Sequence, residues 1–146
     1  MQKITVKLLA AEHISGAAEI ERQCFAEPWS ENALKMLTAH NAFGIVCLDG
    51  DTVAAYSGMI CVLDEGQITN VATLPEFRRR GLARLVLCKM LDEAKSRGLS
   101  FVTLEVRESN TAAIELYSGL GFCALGSRPN FYRRPIEAAI IMEKKL

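Results

Sequence analysis

The sequence predicts an α/β fold of the mixed, α+β kind: a central, mostly antiparallel sheet flanked by helices. Two β-leaning segments, residues 43–48 and 52–62, flank Asp49-Gly50-Asp51, a strong hairpin signal. A strand-helix-strand-helix succession then occupies residues 67–119, and two more strand-like segments follow it. Hairpins favour antiparallel neighbours, whereas a helix between two strands allows a parallel pair, so the two patterns together specify a mixed sheet.

Residues 3–9 (KITVKLL) alternate well enough for a first strand, and a helix can begin at residues 10–12 and run to about Cys24. The segment F-A-E-P-W-S at 25–30 breaks it, and Ser30 can cap a short helix to about Ala39. A second break at 63–66 leads into a strand ending near Thr73. The helix expected over residues 80–97 carries Leu82, Leu85, Val86, Leu91 and Ala94 at helical spacing and stops at Gly98. Residues 101–107 form a strand and 110–119 a helix, while 120–127 and 138–144 make the last strands, joined by a loop at 128–135.

At 146 residues, half of them apolar, the chain matches one domain spanning 1–146 with a single core. Seventeen basic and seventeen acidic side chains cancel, so the overall charge calls for neither nucleic acid nor an anionic membrane surface. The amino terminus carries charges too early for a secretory segment, and no apolar run reaches the ~18 residues of a membrane span, so a cytoplasmic protein is expected. The five cysteines are scattered, form no C-x-x-C pair and have only two histidines for company. Buried reduced thiols, and no metal site, are the expectation.

The stretch V-A-T-L-P-E-F-R-R-R-G-L-A at 71–83 is the most informative in the chain. A strand runs through a Pro-containing turn and three arginines into a helix, whose first N–H groups lack intrahelical partners and carry partial positive charge. An anion fits such an end. Gly81 lets the backbone approach a ligand, and Arg78, Arg79 and Arg80 supply cationic donors suited to phosphate. A basic surface turn is the plainer alternative.

Glu105 stands between Leu104 and Val106, where a central strand should be apolar. A lone carboxylate there is costly unless paired or used, and an ion pair with Arg107 or another base on a half-solvated face would account for it equally well. Tyr117 follows Asn110 by two helical turns and shares a stripe with Ala113, Ile114 and Leu120, which by itself makes it a core aromatic. Asn110 is a natural helix cap. Val71, Ala72 and Thr73 matter through their main chain, because a strand parted from its neighbour offers N–H and C=O groups to an extended ligand. Trp29 and Tyr132, in two separate breaks, could border an acceptor cleft or plug the core.

Arg78-x-x-Gly81-x-Ala83 resembles the acetyl-CoA pyrophosphate motif of the GNAT superfamily of N-acetyltransferases. I-T-N-V-A before it, L-E-V-R-E-S-N-T-A-A-I-x-L-Y after it and the later G-F are similar to the bacterial ribosomal-protein-alanine N-terminal acetyltransferases, the RimI type. The resemblance covers nearly the whole chain, from F-x-x-P-W-S to N-F-Y; Ala83 for a second glycine is permitted, and Thr73 for an apolar residue is a mild departure. It implies a sheet whose fourth and fifth strands part, acetyl-CoA as co-substrate, and an acceptor that is a ribosomal protein's N-terminal amine, most often alanine. The pyrophosphate would lie on the backbone of Arg78, Arg79, Arg80, Gly81, Leu82, Ala83 and Arg84, and Asn110 would hydrogen-bond the CoA arm.

The same resemblance implies roles for the acid and the phenol. An α-amino group has a pKa of about 7.7–8.0, so much of it is protonated at neutral pH, and a carboxylate of raised pKa can remove that proton. The resemblance gives this task to Glu105 and makes Tyr117 the proton donor to the departing thiolate. No cysteine lies in these motifs, which points to direct attack in a ternary complex and not to an acyl-enzyme. A relative acting on a lysine side chain, a polyamine or another small amine is the alternative within the class, although no carboxylate cluster suits a polyamine. Outside it stands an acyl-CoA-binding module without chemistry, against which the paired Glu105 and Tyr117 argue. No G-x-x-x-x-G-K-[ST] or dinucleotide fingerprint supports a nucleotide-binding domain.

Overall fold

The computed structural model describes residues 3–146, and among them seven strands make one sheet. They are β1 (Ile4–Leu8), β2 (Ala42–Asp49), β3 (Thr52–Val62), β4 (Glu65–Thr73), β5 (Phe101–Arg107), β6 (Cys123–Arg133) and β7 (Ile136–Lys145), in the spatial order β1-β2-β3-β4-β5-β7-β6. Only β4 and β5 run parallel. The crossover between them is helix α3 (Leu82–Ser96), as a parallel connection requires. The remaining helices are α1 (Ile14–Cys24), α2 (Glu31–Leu34) and α4 (Thr111–Gly119).

Both faces of the sheet are covered, so β2 is buried along almost its whole length. Phe43, Ile45 and Cys47 face α3, packing with Val86, Leu87 and Met90. Val46, Leu48 and Tyr56 face the other way, against Ile14, Ala17 and Ile20 of α1. The two-residue period of a strand divides them between the layers.

Local sequence signals set most boundaries. Gly50 takes φ 61° in the loop between the paired Asp49 and Thr52. Ser30 caps α2, its side chain accepting from Ala33 N–H at 3.1 Å. After four α-helical residues that segment tightens into a 3-10 turn at Lys35–Thr38, and a 3-10 turn at Ala11–His13 likewise precedes α1. The break expected at 63–66 narrows to Leu63 and Asp64, since Glu65 and Gly66 already pair with Val62 and Cys61.

Three expectations need correction. The loop expected at 128–135 is largely strand: β6 continues to Arg133, and only Arg134 and Pro135 lie between it and β7. The register shifts between Arg128 and Tyr132, so the Pro-Asn signal marks an irregularity in a continuing ladder. Pro129 has no N–H to donate and Asn130 takes φ 57°, which interrupts pairing without reversing the chain. Leu85, expected on the buried stripe of α3, is exposed, and Leu87 and Met90 join Leu82, Val86 and Ala94 inside instead. Of the cysteines only Cys47 is buried; Cys88 faces solvent on α3 and Cys123 starts the edge strand, so burial does not extend to all five.

The sheet opens between β4 and β5. Their ladder consists of Glu65↔Phe101, Gly66↔Val102 and Gln67↔Thr103, and no pairing follows it. The Thr103 hydroxyl donates to Glu65 Oε2 at 2.7 Å, tying the closed end. One step further, Gly58 pairs with Asn70 while Met59 pairs with Ile68, which leaves Thr69 as an extra residue in β4. A bulge bends its strand and sharpens the twist, so β4 follows β3 away from β5. β5 stays in register with β7 from Phe101↔Lys145 to Arg107↔Ala139. Gly58 makes room for the bulge, because a Cβ there would lie 2.7 Å from Thr69 Oγ1 and 2.8 Å from Leu37 Cδ1.

Candidate active site

The gap between β4 and β5 widens into an open cleft of about 1150 Å³. Its β4 wall includes Val71, Ala72 and Thr73, and its β5 wall includes Glu105 and Arg107. Each strand residue directs its backbone groups sideways, so past Gln67 those turned from β3 have no strand to meet. The Thr73 carbonyl accepts a weak bond from the Cys24 thiol at 3.3 Å.

The start of α3 forms one end of the cleft. Gly81 is its N-cap in the left-handed region at φ 76°, and no side chain caps this end. α4 and α2 contrast with it, since Asn110 and Ser30 each satisfy an amide of the first turn. The α3 amides therefore keep their donors and the positive end of the helix dipole for something outside the fold. A Cβ at Gly81 would meet nothing within 4 Å, so the space before these amides is open. Arg79, also left-handed at φ 66°, lines the cleft with Arg78, Leu82, Ala83 and Arg84. These donors and cations fit a diphosphate. Arg80 does not line the cleft: its guanidinium lies 5.2 Å from the Phe77 ring centre and donates to the Glu76 carbonyl at 3.4 Å.

Glu105, Tyr117 and Asn110 also line the cleft. Glu105 is exposed, on the face of β5 opposite that of the buried Leu104 and Val106. The ion pair considered for it with Arg107 does not form, since Arg107 pairs with Glu137 at 3.2 Å. Tyr117 is buried and packs edge-on to Phe122 with ring centres 5.8 Å apart. Burial first, and then the nearby Tyr132, push its phenol up to about 12, so it keeps its proton at neutral pH. Asn110 Oδ1 accepts from Ala113 N–H at 3.2 Å, and its Nδ2 makes no bond among the described residues. The cap thus leaves a donor free.

Both aromatic candidates, Trp29 and Tyr132, also line the cleft. Tyr132 packs edge-on to Phe131 and lies over the Arg107 guanidinium at 4.3 Å. Burial, and secondarily the charge of Glu105, raise its phenol. Arg107 also donates to the carbonyls of Pro135 and Arg134, each at 3.0 Å, which pins the turn between β6 and β7. An exposed pair of Arg134 with Glu27 at 3.4 Å joins that turn to the segment between α1 and α2.

Glu21, Asn70 and the clamp of Arg107 were not anticipated. Glu21 is buried and lines the cleft, accepting from Trp29 N–H at 2.9 Å, from Asn70 Nδ2 at 3.0 Å and from the Tyr56 hydroxyl. The available signal was its position seven residues after Ile14, on the apolar stripe of α1. Asn70 likewise interrupts the apolar alternation of β4. The partners of Arg107, 27 to 30 residues away in the chain, left no local trace.

Parted fourth and fifth strands, with an uncapped helix start at one end of the gap, define the acyl-CoA N-acyltransferase fold. The chain belongs to the acetyltransferase (GNAT) family, whose sequence profile matches residues 14–122, and it is an N-acetyltransferase. It is 38% identical over 140 residues to the [ribosomal protein bS18]-alanine N-acetyltransferase of Salmonella typhimurium, covering 94% of this chain and 95% of that relative. The crystal structure of the ribosomal-protein-S18-alanine N-acetyltransferase from Escherichia coli matches with a TM-score of 0.91 at 34% identity, over 98% of this chain and 94% of that one. The PaiA N-acetyltransferase of Thermoplasma acidophilum, solved in complex with coenzyme A, shares the fold at 15% identity, with a TM-score of 0.82 over 99% of both chains. No helix among the described residues is long and apolar enough to cross a membrane.

Proposed function

We propose that this enzyme transfers the acetyl group of acetyl-CoA to the N-terminal α-amine of a ribosomal protein, with alanine as the first residue, by direct attack in a ternary complex. The observation that carries this reading is the meeting, in one cleft, of the uncapped α3 start with Glu105 and Tyr117. The Salmonella typhimurium and Escherichia coli relatives, similar over almost the full chain, are named for the alanine of ribosomal protein S18 and supply the acceptor class.

Acetyl-CoA supplies the acyl group and the thiolate leaving group. The α3 amides with Arg78, Arg79 and Arg84 hold the diphosphate, the open edge at Val71, Ala72 and Thr73 pairs with the amide-bearing arm, and Asn110 Nδ2 donates to it. Glu105 takes the proton from the amine as its nitrogen forms the new amide bond and the thioester C–S bond breaks. Tyr117, held protonated by burial, offers its O–H to the departing sulfur. Trp29 and Tyr132 border the amine-substrate side.

The test is CoA release, with mass spectrometry of the product, for an alanine-first ribosomal-protein peptide against a lysine side chain and a polyamine. Acetylation of the peptide's α-amine with a clear kcat/KM advantage is expected. Preference for a lysine or a small amine would replace the acceptor, and CoA binding without release over the whole panel would replace the enzyme by a binding module. Glu105→Gln should bind CoA as the parent does while kcat falls by about 10² or more. Unchanged kcat would remove Glu105 from the reaction.

A further inference from the structure

Glu21 is 1% exposed, on a helix face otherwise made of Ile14, Ala17 and Ala18. Burial of a carboxylate demands partners, and none of the ion pairs among the described residues includes this one. Its partners are three hydrogen-bond donors: Trp29 N–H on Oε1, with Asn70 Nδ2 and the Tyr56 hydroxyl on Oε2. An apolar residue would leave these buried donors without an acceptor, so the acid belongs with the segments the donors come from.

What Glu21 joins supplies the reason. Trp29 belongs to the cleft-lining segment between α1 and α2, which the proposed function places on the amine-substrate side, and Asn70 directly follows the Thr69 bulge in β4. One carboxylate therefore bridges two walls of the cleft. Tyr56 approaches from β3 and is not part of the lining. Its phenol is raised, chiefly by burial, and stays a donor. Because Asn70 spends Nδ2 on Glu21, Oδ1 is left buried and unpartnered, as is Oγ1 of the preceding Thr69, so the carboxylate also fixes which end of this amide is free.

We propose that Glu21 is a positioning residue for the amine substrate: by tying the segment at Trp29 to the opened part of β4, it sets the width of the substrate half of the cleft and leaves the CoA half untouched. This rests on the proposed function and deepens it. The CoA-side groups at Arg78 to Arg84 make no bond to Glu21 or to its three partners, so the two halves can be perturbed separately.

The test compares Glu21→Gln, Asn70→Ala and Tyr56→Phe with the parent, using the alanine-first peptide, acetyl-CoA and thermal melts. Glu21→Gln should raise the peptide KM by about ten-fold or more while the Kd for CoA stays within about two-fold. Asn70→Ala, which cuts only the β4 side of the tie, should shift the same parameter in the same direction, and it decides the matter if Glu21→Gln does not fold. Tyr56→Phe leaves Glu21 both of its cleft-side donors and should lower Tm with the peptide KM within about two-fold. A lowered Tm with unchanged peptide KM in Glu21→Gln or Asn70→Ala overturns the proposal and makes Glu21 a stabilising residue only. Absence of CoA release by the parent enzyme would instead overturn the proposed function, and this inference with it.

Discussion

The guanidinium of Arg107 lies 4.3 Å from the centre of the Tyr132 ring and bonds the turn that follows that ring, through the carbonyls of Arg134 and Pro135 and the carboxylate of Glu137. Arg107 stands two residues beyond Glu105 on β5, on the same face. The proposed base and the clamp of the aromatic proposed for the substrate side thus share one strand. Lysine keeps the charge but, as a compact point cation, cannot serve a ring, two carbonyls and a carboxylate together. Arg107→Lys is expected to raise the peptide KM by about ten-fold and leave CoA affinity within about two-fold. Steady-state kinetics beside CoA calorimetry check this, and an unaltered peptide KM would refute the clamp.

At the start of α3, Gly81 combines φ 76° with open space where a Cβ would go. Gly81→Ala should cost about 1–2 kcal/mol of stability from the left-handed conformation alone. It should also weaken CoA binding by about ten-fold, because the methyl enters the space in front of the free amides. Gly81→Asn tolerates that conformation better and separates the effects: smaller loss in Tm, similar loss in affinity. Full CoA affinity in both variants would contradict a diphosphate held there.

The Thr69 bulge depends on the absence of a side chain at Gly58. A methyl group 2.7 Å from Thr69 Oγ1 and 2.8 Å from Leu37 Cδ1 forces one of them to move. Gly58→Ala is expected to lose about 1–3 kcal/mol in urea melts, with a further fall in kcat as the gap changes shape. Equal stability would mean that the bulge yields without cost.

Tyr117, raised to about 12 chiefly by burial, remains protonated through pH 10. Its titration therefore contributes no alkaline fall in kcat below about pH 10, and Tyr117→Phe should lower kcat by about 10²-fold or more at every pH in that range. A parent profile that falls near pH 9, and loses that limb in the variant, would contradict a donor of this kind.

His13 is buried and accepts from Ala10 N–H through Nδ1 at 2.9 Å, so the fold holds it neutral and lowers its pKa, mainly by desolvation. A histidine with a folded pKa below 6.5 gives stability that is fully present above 6.5 and is lost as the pH falls through the folded value. Thermal melts of the parent should decline from pH 7.5 to pH 5 more steeply than those of His13→Gln. Parallel declines would assign the acid sensitivity elsewhere.

Much of the fold was legible because its signals are local. Residues 101–107 form β5 as their alternation indicates, Gly50 marks the β2–β3 turn, and Ser30 and Asn110 cap the helices they precede. The arginine-glycine turn leading into α3 was equally legible, since a strand, a left-handed glycine and an apolar-periodic helix are all written in consecutive residues. Consecutive residues were thus enough to set the order of strands and helices and the chemistry available at residues 71–84, 105 and 117.

The tertiary structure alone decided how those pieces meet. Whether Pro129 and Asn130 reverse β6 or only interrupt it depended on β7 continuing to pair beyond them. Glu21 bonds Asn70 across 49 positions of chain and Tyr56 across 35, and the opening itself rests on one surplus residue in a ladder. Such features belong to pairs of segments: propensity acts within a few residues, whereas a register or a buried carboxylate's donors exist only once distant strands have packed.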